Sequence, residues 1–380
     1  MSKQLSIRLN TALTLLDQFQ STLSTPPEPT VAPQKDALPL LSASTEALKS
    51  QVTKLSLLAI NTPFTPSAVS AVLSALIESV LPSLVTAAAL VTPGEYTKAF
   101  HGEVGVLSRT VLKELAALVG EVKGVAEKND STSTKARDND AGELSQPDKD
   151  AVTVATGRVW DSCDCLCDVA AKGVVGFVVR RVEEWRDLVA DAVSELEEWD
   201  PDEDDDGFFD DIVVEDVKPN METGNPGREE ESVEDSDSDE KDTAALHACK
   251  KSTLRVLKPV AQVFPAIISN RLKNVGSAPS SSPEGIGRLE SLMSHLRGIP
   301  DYVDEMAGAL YDDELEKSGQ YLEKTKSCAA SAVNAMALPW VQAANGDREH
   351  VEDKFTVWSR TWLKVMDEVS KPANDTSNAG

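Results

Sequence analysis

Residues 195–242 read ELEEWDPDEDDDGFFDDIVVEDVKPNMETGNPGREEESVEDSDSDEKD, and this stretch divides the chain into two parts. It holds 23 acidic and 3 basic residues, a net charge of −20, whereas the whole 380-residue chain carries −26. Its apolar residues are concentrated in one island, residues 208–217. A segment of this composition buries too little apolar surface to offset the entropy lost on ordering. The sequence therefore predicts a disordered acidic linker, residues 201–242, between two helical domains.

The composition outside this stretch is typical of helix bundles. The chain is long enough for two domains with substantial cores, and only 5% of its residues are aromatic. Its strong acidity disfavours direct nucleic-acid binding, because contacts to phosphate need Lys and Arg. A short basic face follows the acidic run, at Lys250, Lys251, Arg255 and Lys258. We expect this face to neutralise neighbouring carboxylates rather than to bind DNA.

Apolar residues recur at helical spacing on both sides of the linker, and no convincing strand signal occurs. The first helix carries Leu5, Leu9, Ala12, Leu16, Phe19 and Leu23 at alternating spacings of four and three. The last helix repeats this heptad pattern at Val351, Phe355, Trp358, Trp362, Val365 and Val369. Such seams pack against other helices, within one chain or between two chains. The prediction is an all-α protein with helical bundles at 1–200 and 243–371, a mobile loop at 127–147 and a disordered tail at 372–380.

The most apolar stretch, residues 68–91, is long enough to span a bilayer and carries the single charge Glu78. Pro82 interrupts it, serines dilute it, and neither flank carries a positive cluster. We therefore expect a buried bundle helix and no membrane partner. The following Thr92-Pro-Gly-Glu95 resembles a capping box that begins the next helix.

Glycines and prolines predict where later helices bend or end. Gly173 and Gly176 weaken the middle of a long helical pair, where we expect a bend or a short break. Pro259 and Pro265 must kink or divide the first helix after the linker, and Pro300 must break or bend another.

A search for catalytic motifs finds little. The sequence has no P-loop, no G-x-G-x-x-G, no H-E-x-x-H and no G-x-S-x-G, and its four histidines are scattered. Cys163, Cys165 and Cys167 are the best metal candidate, but on a helix at about 100° per residue their thiols cannot converge on one ion. We predict no enzyme activity, no cofactor and no metal. The five cysteines have no secretory spacing, which favours reduced thiols in the cytosol or nucleus.

One candidate docking motif lies within the linker, at Phe208, Phe209, Ile212 and Val213. These residues line one face of a nascent helix in a charged surround, which is how a short docking motif is built. The alternative is that they fold back onto the second bundle.

Three linker serines, Ser232, Ser236 and Ser238, are followed by acidic residues. Acid-directed kinases of the casein-kinase type favour such positions. Phosphorylation would add about −1.5 to −2 charge at each site, so we predict a phosphoprotein.

The order of these features resembles the Grap/cyclin-D-interacting protein family, of which the chain looks like a divergent, fungal member. The resemblance is carried by residues 159–163 (VWDSC), by the helix at 182–198 and by the Asp-Pro at 200–201. The acidic stretch with residues 207–210 (GFFD) and the run 288–311 of the second half also fit.

The resemblance implies an all-helical, non-enzymatic protein of nucleus and cytoplasm. Animal members of the family bind D-type cyclins and helix-loop-helix factors, and are regarded as negative regulators of cell-cycle progression and transcription. It implies a protein-interaction adaptor with cyclin-like or helix-loop-helix partners, although no single functional residue carries over. The residues themselves leave two alternatives: an acidic chaperone or scaffold for basic proteins, and a vinculin-like cytoskeletal bundle.

Overall fold

Helices fill the part of the chain that the structure describes. This computed structural model describes residues 2–25, 37–135, 144–202, 236–273, 278–280, 282–340 and 352–370. No strand occurs among these residues, and the all-α prediction is confirmed. Residues 203–235 of the predicted linker and the predicted tail 372–380 lie outside the described residues.

The helices follow one another closely in sequence. In chain order they are α1 (Lys3–Ser24), α2 (Ala37–Ile60), α3 (Pro66–Ala75), α4 (Leu81–Leu90), α5 (Lys98–Lys135), α6 (Gln146–Glu198), α7 (Ser236–Ala261), α8 (Val263–Ile267), α9 (Pro283–Leu296), α10 (Gly298–Tyr311), α11 (Leu315–Ala335) and α12 (Lys354–Val369). Widened π-helical turns follow α3 at Leu76–Val80 and α8 at Ile268–Leu272. Helix α5 thus continues into the predicted loop 127–147, and α7 begins inside the predicted linker.

The chain forms two compact units. The first unit comprises Met1–Val178 and Gly276–Glu290, and the second comprises Val179–Val275 and Ser291–Gly380. Both units are therefore discontinuous in sequence. The predicted domain limits of 1–200 and 243–371 concern which fragments fold alone, and they remain predictions.

Leucine seams build the core of the first unit. Leu5, Leu9, Ala12 and Leu16 of α1 are buried, as their spacing predicts, and α1 packs against α3 and α5. The run Pro66–Leu90 is apolar and long enough to span a membrane, and half of its most apolar window is buried inside the protein. The widened turn before α4 relieves Pro82, whose ring would otherwise meet the carbonyl of Glu78 in a regular helix.

The start of α5 corrects one sequence prediction. Thr97, not Thr92, caps this helix, because its hydroxyl oxygen accepts a hydrogen bond from the backbone N–H of Phe100 at 3.1 Å. The carbonyl of Thr92 instead closes a turn by accepting from the N–H groups of Glu95 and Tyr96 at 3.2 and 3.0 Å. The capping-box prediction at Thr92 is wrong because this turn precedes the helix.

Gly173 interrupts α6 where the sequence predicts a bend. Its backbone has φ +61° and ψ −168°, in a region that is essentially restricted to glycine. The predicted break is confirmed, and it falls at Gly173 rather than at Gly176.

Prolines divide the helices of the second unit as predicted. Helix α7 contains Pro259 and ends at Ala261, and α8 begins two residues later. The break associated with Pro300 falls at Arg297, between α9 and α10. In α12 the buried stripe is Phe355, Ser359, Trp362 and Met366. The predicted seam through Trp358 and Val365 is therefore only partly correct, because Val365 is exposed.

An ion pair between a buried guanidinium and a partly exposed carboxylate joins three segments of the second unit. The guanidinium of Arg271, only 3% exposed, binds both carboxylate oxygens of Asp353 at 2.6 and 3.0 Å. It also donates to the carbonyl oxygens of Met336 at 2.7 Å and Ala337 at 3.2 Å, and it lies 4.4 Å from the ring centroid of Phe355. Nothing in the helical periodicity predicts this cluster.

Candidate interaction surface

The structure describes both flanks of the acidic run. The candidate docking residues Phe208, Phe209, Ile212 and Val213, and the candidate phosphorylation site Ser232, lie outside the described residues. The backbone of Ser236 and Ser238 lies in the first turn of α7, and their side chains are outside the description. The described flanks are therefore the end of α6 and the helix α7, and both belong to the second unit.

Lys250 of α7 binds the C-terminal end of α6. Its ammonium donates to the carbonyl oxygen of Glu197 at 3.1 Å and to that of Trp199. Carbonyl groups at the end of a helix lack intrahelical partners and carry partial negative charge. A cation stabilises these carbonyl groups. Lys250 therefore fixes the backbone of Trp199, just before the predicted linker begins at residue 201.

Side-chain pairs add to this contact. Lys258 of α7 lies 2.5 Å from a carboxylate oxygen of Glu197, and His247 lies 3.0 Å from Asp202. The expectation that the basic face neutralises nearby carboxylates is confirmed for Lys258. His247, Asp202 and Asp200 place their potential ligand atoms within 4.8 Å of one another, but all three side chains are exposed.

An aromatic pair lies beside this contact. The rings of Trp199 and Tyr311 meet edge to face, with centroids 4.9 Å apart and planes at 67°. Tyr311, the last residue of α10, is 40% exposed. Partial burial, followed by the charges of Glu195 and Asp304, raises the pKa of the Tyr311 hydroxyl. A tyrosine hydroxyl is protonated at neutral pH even without this shift, so the phenol can donate a hydrogen bond.

Sequence reasoning missed this pair. The spacing on α6 places Trp199 in a core stripe, but the helix ends at Glu198. As a result, the indole of Trp199 is only partly buried.

Cys163 and Cys167, four residues apart, share one face of α6, and Cys165 lies on another face. Cys163 is buried, Cys165 is exposed, and Cys167 is intermediate. Burial raises the pKa of Cys163 to about 12, with a smaller contribution from Cys167. The helix stays regular through these residues. Cys163 therefore behaves as a small apolar core residue.

Two shallow depressions lie on the first unit. One, of about 320 Å³, lies between α1 and α5 near Gln20, Arg109 and Thr110. The other, of about 400 Å³, follows α1 near Ile7 and Thr14. Neither depression is lined by a carboxylate, a histidine or a thiol of the described residues.

Residues 40–202 match the family model described as Grap2 and cyclin-D-interacting, N-terminal. Over these residues the chain is similar to the Grap2 and cyclin-D-interacting N-terminal domain. The matched range runs from α2 to the residues just after α6, and it includes residues 159–163 and 182–198, which carry the resemblance seen in the sequence. The resemblance is therefore confirmed. The run 288–311 lies beyond this N-terminal match.

A curated relative of the chain is an uncharacterised protein of the fission yeast Schizosaccharomyces pombe. The two are 24% identical over 218 residues, which is 57% of this chain and 55% of the relative. The chain thus spans about half the length of the curated relative it matches. A fungal relative agrees with the interpretation of the chain as a fungal member of the family.

Proposed function

We propose that the chain is a non-enzymatic adaptor that regulates cell-cycle progression or transcription by binding cyclin-like or helix-loop-helix proteins. The observation that carries this proposal is the match of residues 40–202 to the Grap2 and cyclin-D-interacting model. The all-helical fold supports it, because helix faces and grooves are common docking surfaces for partner helices.

The acidic run has two roles in this proposal. Phe208, Phe209, Ile212 and Val213 supply an apolar anchor, and the surrounding carboxylates accelerate encounter with basic partners. Phosphorylation of Ser232, Ser236 and Ser238 would add negative charge and strengthen the steering. We propose that this takes place in the cytoplasm and nucleus.

The test is affinity purification of the full chain from its native cells, with mass spectrometry of the bound proteins. A first variant replaces residues 205–233 with a Gly/Ser linker of equal length, which leaves Asp202 and α7 unchanged. A second variant changes the four anchor residues to serine and keeps every charge. We expect stable partners for the native chain and their loss from both variants. Absence of any stable partner for the native chain would contradict the proposal.

A second candidate function follows from the net charge of −26. An acidic chaperone or scaffold would shield basic proteins by charge alone. Its binding would weaken steeply as salt is raised, and it would survive the serine variant but not the linker replacement. The adaptor instead loses binding in both variants.

A further inference from the structure

A single face of α10 leads to the aromatic pair. Asp304, Gly308 and Tyr311 are spaced by four and three residues, so they lie along one stripe of the helix. Trp199 contacts Tyr311 at the end of this stripe. Glu195, one turn before Trp199, is close enough to influence the pKa of Tyr311, as is Asp304.

The stripe is open to solvent. A Cβ atom added to Gly308 would meet no atom within 4 Å, so there is free space between Asp304 and Tyr311. Glu195 and Asp304 are exposed, and neither has a salt-bridge partner among the described residues. The two carboxylates, which have no salt bridge among the described residues, therefore lie beside the partly exposed rings of Trp199 and Tyr311.

The same unit contains an aromatic pair that already holds a cation. The rings of Tyr302 and Tyr321 have centroids 6.3 Å apart. The ammonium of Lys324 lies 4.3 Å from the centroid of Tyr321 and 5.8 Å from that of Tyr302. Within the described part of the chain, by contrast, no cation lies over the ring of Trp199 or Tyr311.

We propose that the edge formed by Trp199, Tyr311, Glu195 and Asp304 binds an arginine or lysine side chain on a basic segment of a partner protein. The ring faces attract a cation, and Trp is the best aromatic acceptor for one. The two carboxylates supply the opposite charge. The strongly acidic chain adds long-range attraction for a basic partner.

The backbone contacts of Trp199 help to hold this edge in place. The N–H of Trp199 donates to the carbonyl of Glu195 at 2.9 Å, and the ammonium of Lys250 binds the carbonyl of Trp199. These contacts hold the backbone of Trp199 in place. Less conformational entropy is therefore lost at this residue when a partner binds. The inference rests on the proposed adaptor function, and it names the partner's chemistry and the surface that receives it.

The experiment measures binding of a labelled peptide to the full chain by fluorescence polarisation. The probe is a 14-residue alanine-based helix with four arginines, and its control carries glutamine at those positions. Measurement in 300 mM salt limits the contribution of exposed long-range charge, including that of the acidic run. We expect the arginine peptide to bind and the glutamine peptide not to bind.

Variants on α10 localise the binding. Gly308→Arg places bulk and like charge in the open space, and we expect it to weaken binding at least tenfold. Gly308→Ala leaves the space nearly unchanged and is the matched control, with affinity within about twofold of native.

A pair of neutral substitutions protects the test against a folding defect. Glu195→Gln with Asp304→Asn removes both carboxylates without loss of volume, and we expect about three- to tenfold weaker binding. Glu316→Gln with Glu368→Gln makes the same charge change at other exposed positions of the second unit, and we expect less than a twofold effect. Equal weakening by both pairs would overturn the proposal, because binding would then follow net charge alone.

The two proposals fail in different ways. If these variants lose the peptide while the native chain recovers no cellular partner, the surface is correct and the adaptor function is wrong. If native partners are retained by Gly308→Arg and by Glu195→Gln with Asp304→Asn, the adaptor function stands and the partner's place on this edge is refuted.

Discussion

Replacing Asp353 with alanine should destabilise the second unit strongly. The substitution leaves the buried guanidinium of Arg271 without its counter-ion, and breaking a buried pair in this way costs about 3–5 kcal/mol. The carbonyls of Met336 and Ala337 and the ring of Phe355 remain as partners. We therefore expect a loss near the lower limit, about 3 kcal/mol.

The same carboxylate gives a pH dependence of known sign. Hydrogen bonds from Arg271, and then from Thr356, lower the pKa of Asp353 from 3.8 to about 2, although partial burial opposes them. At roughly 1.4 kcal/mol for each pKa unit this amounts to about 2 kcal/mol. Solvent screening of a carboxylate that is 33% exposed reduces it to about 1 kcal/mol. Because the folded pKa is the lower one, this stabilisation is present above pH 4 and is lost as pH falls towards 2.

Tryptophan fluorescence during urea unfolding reports mainly on the second unit. Five of the six tryptophans belong to it: Trp185, Trp199, Trp340, Trp358 and Trp362. The matched control is Glu352→Gln, since Glu352 precedes Asp353 and forms only an exposed ion pair with Arg360 at 2.5 Å. We expect that control to cost less than about 1 kcal/mol. Equal unfolding midpoints for Asp353→Ala and Glu352→Gln, or an unchanged acid response in Asp353→Asn, would refute this reasoning.

Three further predictions concern the first unit. Gly173→Ala should lower the free energy of unfolding by about 1–3 kcal/mol, because alanine is strained at φ +61°. Hydrogen exchange of the backbone amides of α6 should become faster in this variant. Unchanged amide protection would contradict the positive φ at Gly173. Thr97→Ala should cost about 1 kcal/mol by removing a helix cap, and thermal unfolding followed by circular dichroism should show a smaller effect of Thr92→Ala. Iodoacetamide at pH 8 should modify exposed Cys165 in the folded protein and leave Cys163 unmodified, because burial keeps the Cys163 thiol protonated. Equal rates of alkylation of the two cysteines, measured by peptide mapping, would disprove this.

Helical periodicity was sufficient to predict the fold class and the buried face of α1. The seam of α1 has one strongly apolar face, so only one orientation buries it. Helix α12 offers two overlapping stripes, one through Trp358 and one through Ser359. The sequence of one helix cannot choose between them, because the choice depends on the surfaces of α7 and the Arg271 cluster that it meets.

Contacts between residues distant in sequence could not be predicted. Arg271 and Asp353 are 82 residues apart, and each taken alone is an ordinary charged residue. The only local signal is that Asp353 precedes Thr356 by three residues, which fits a helix cap. The edge of Trp199 and Tyr311 was missed for the same reason, since Trp199 directly follows α6 and Tyr311 ends α10, on opposite sides of the predicted linker.

The discontinuity of the first unit also affects its synthesis. Most of this unit has been translated once residue 178 is added, but its last segment, Gly276–Glu290, is translated only after about 100 further residues. That segment supplies buried Leu289 and the carboxylate of Glu290 that binds the N–H of Lys98 at 2.8 Å. At about 5–20 residues per second, the nascent first unit waits for roughly 5–20 s without it. Chaperones that act on nascent chains at the ribosome therefore have a defined interval in which the surface later covered by Leu289 is available to them.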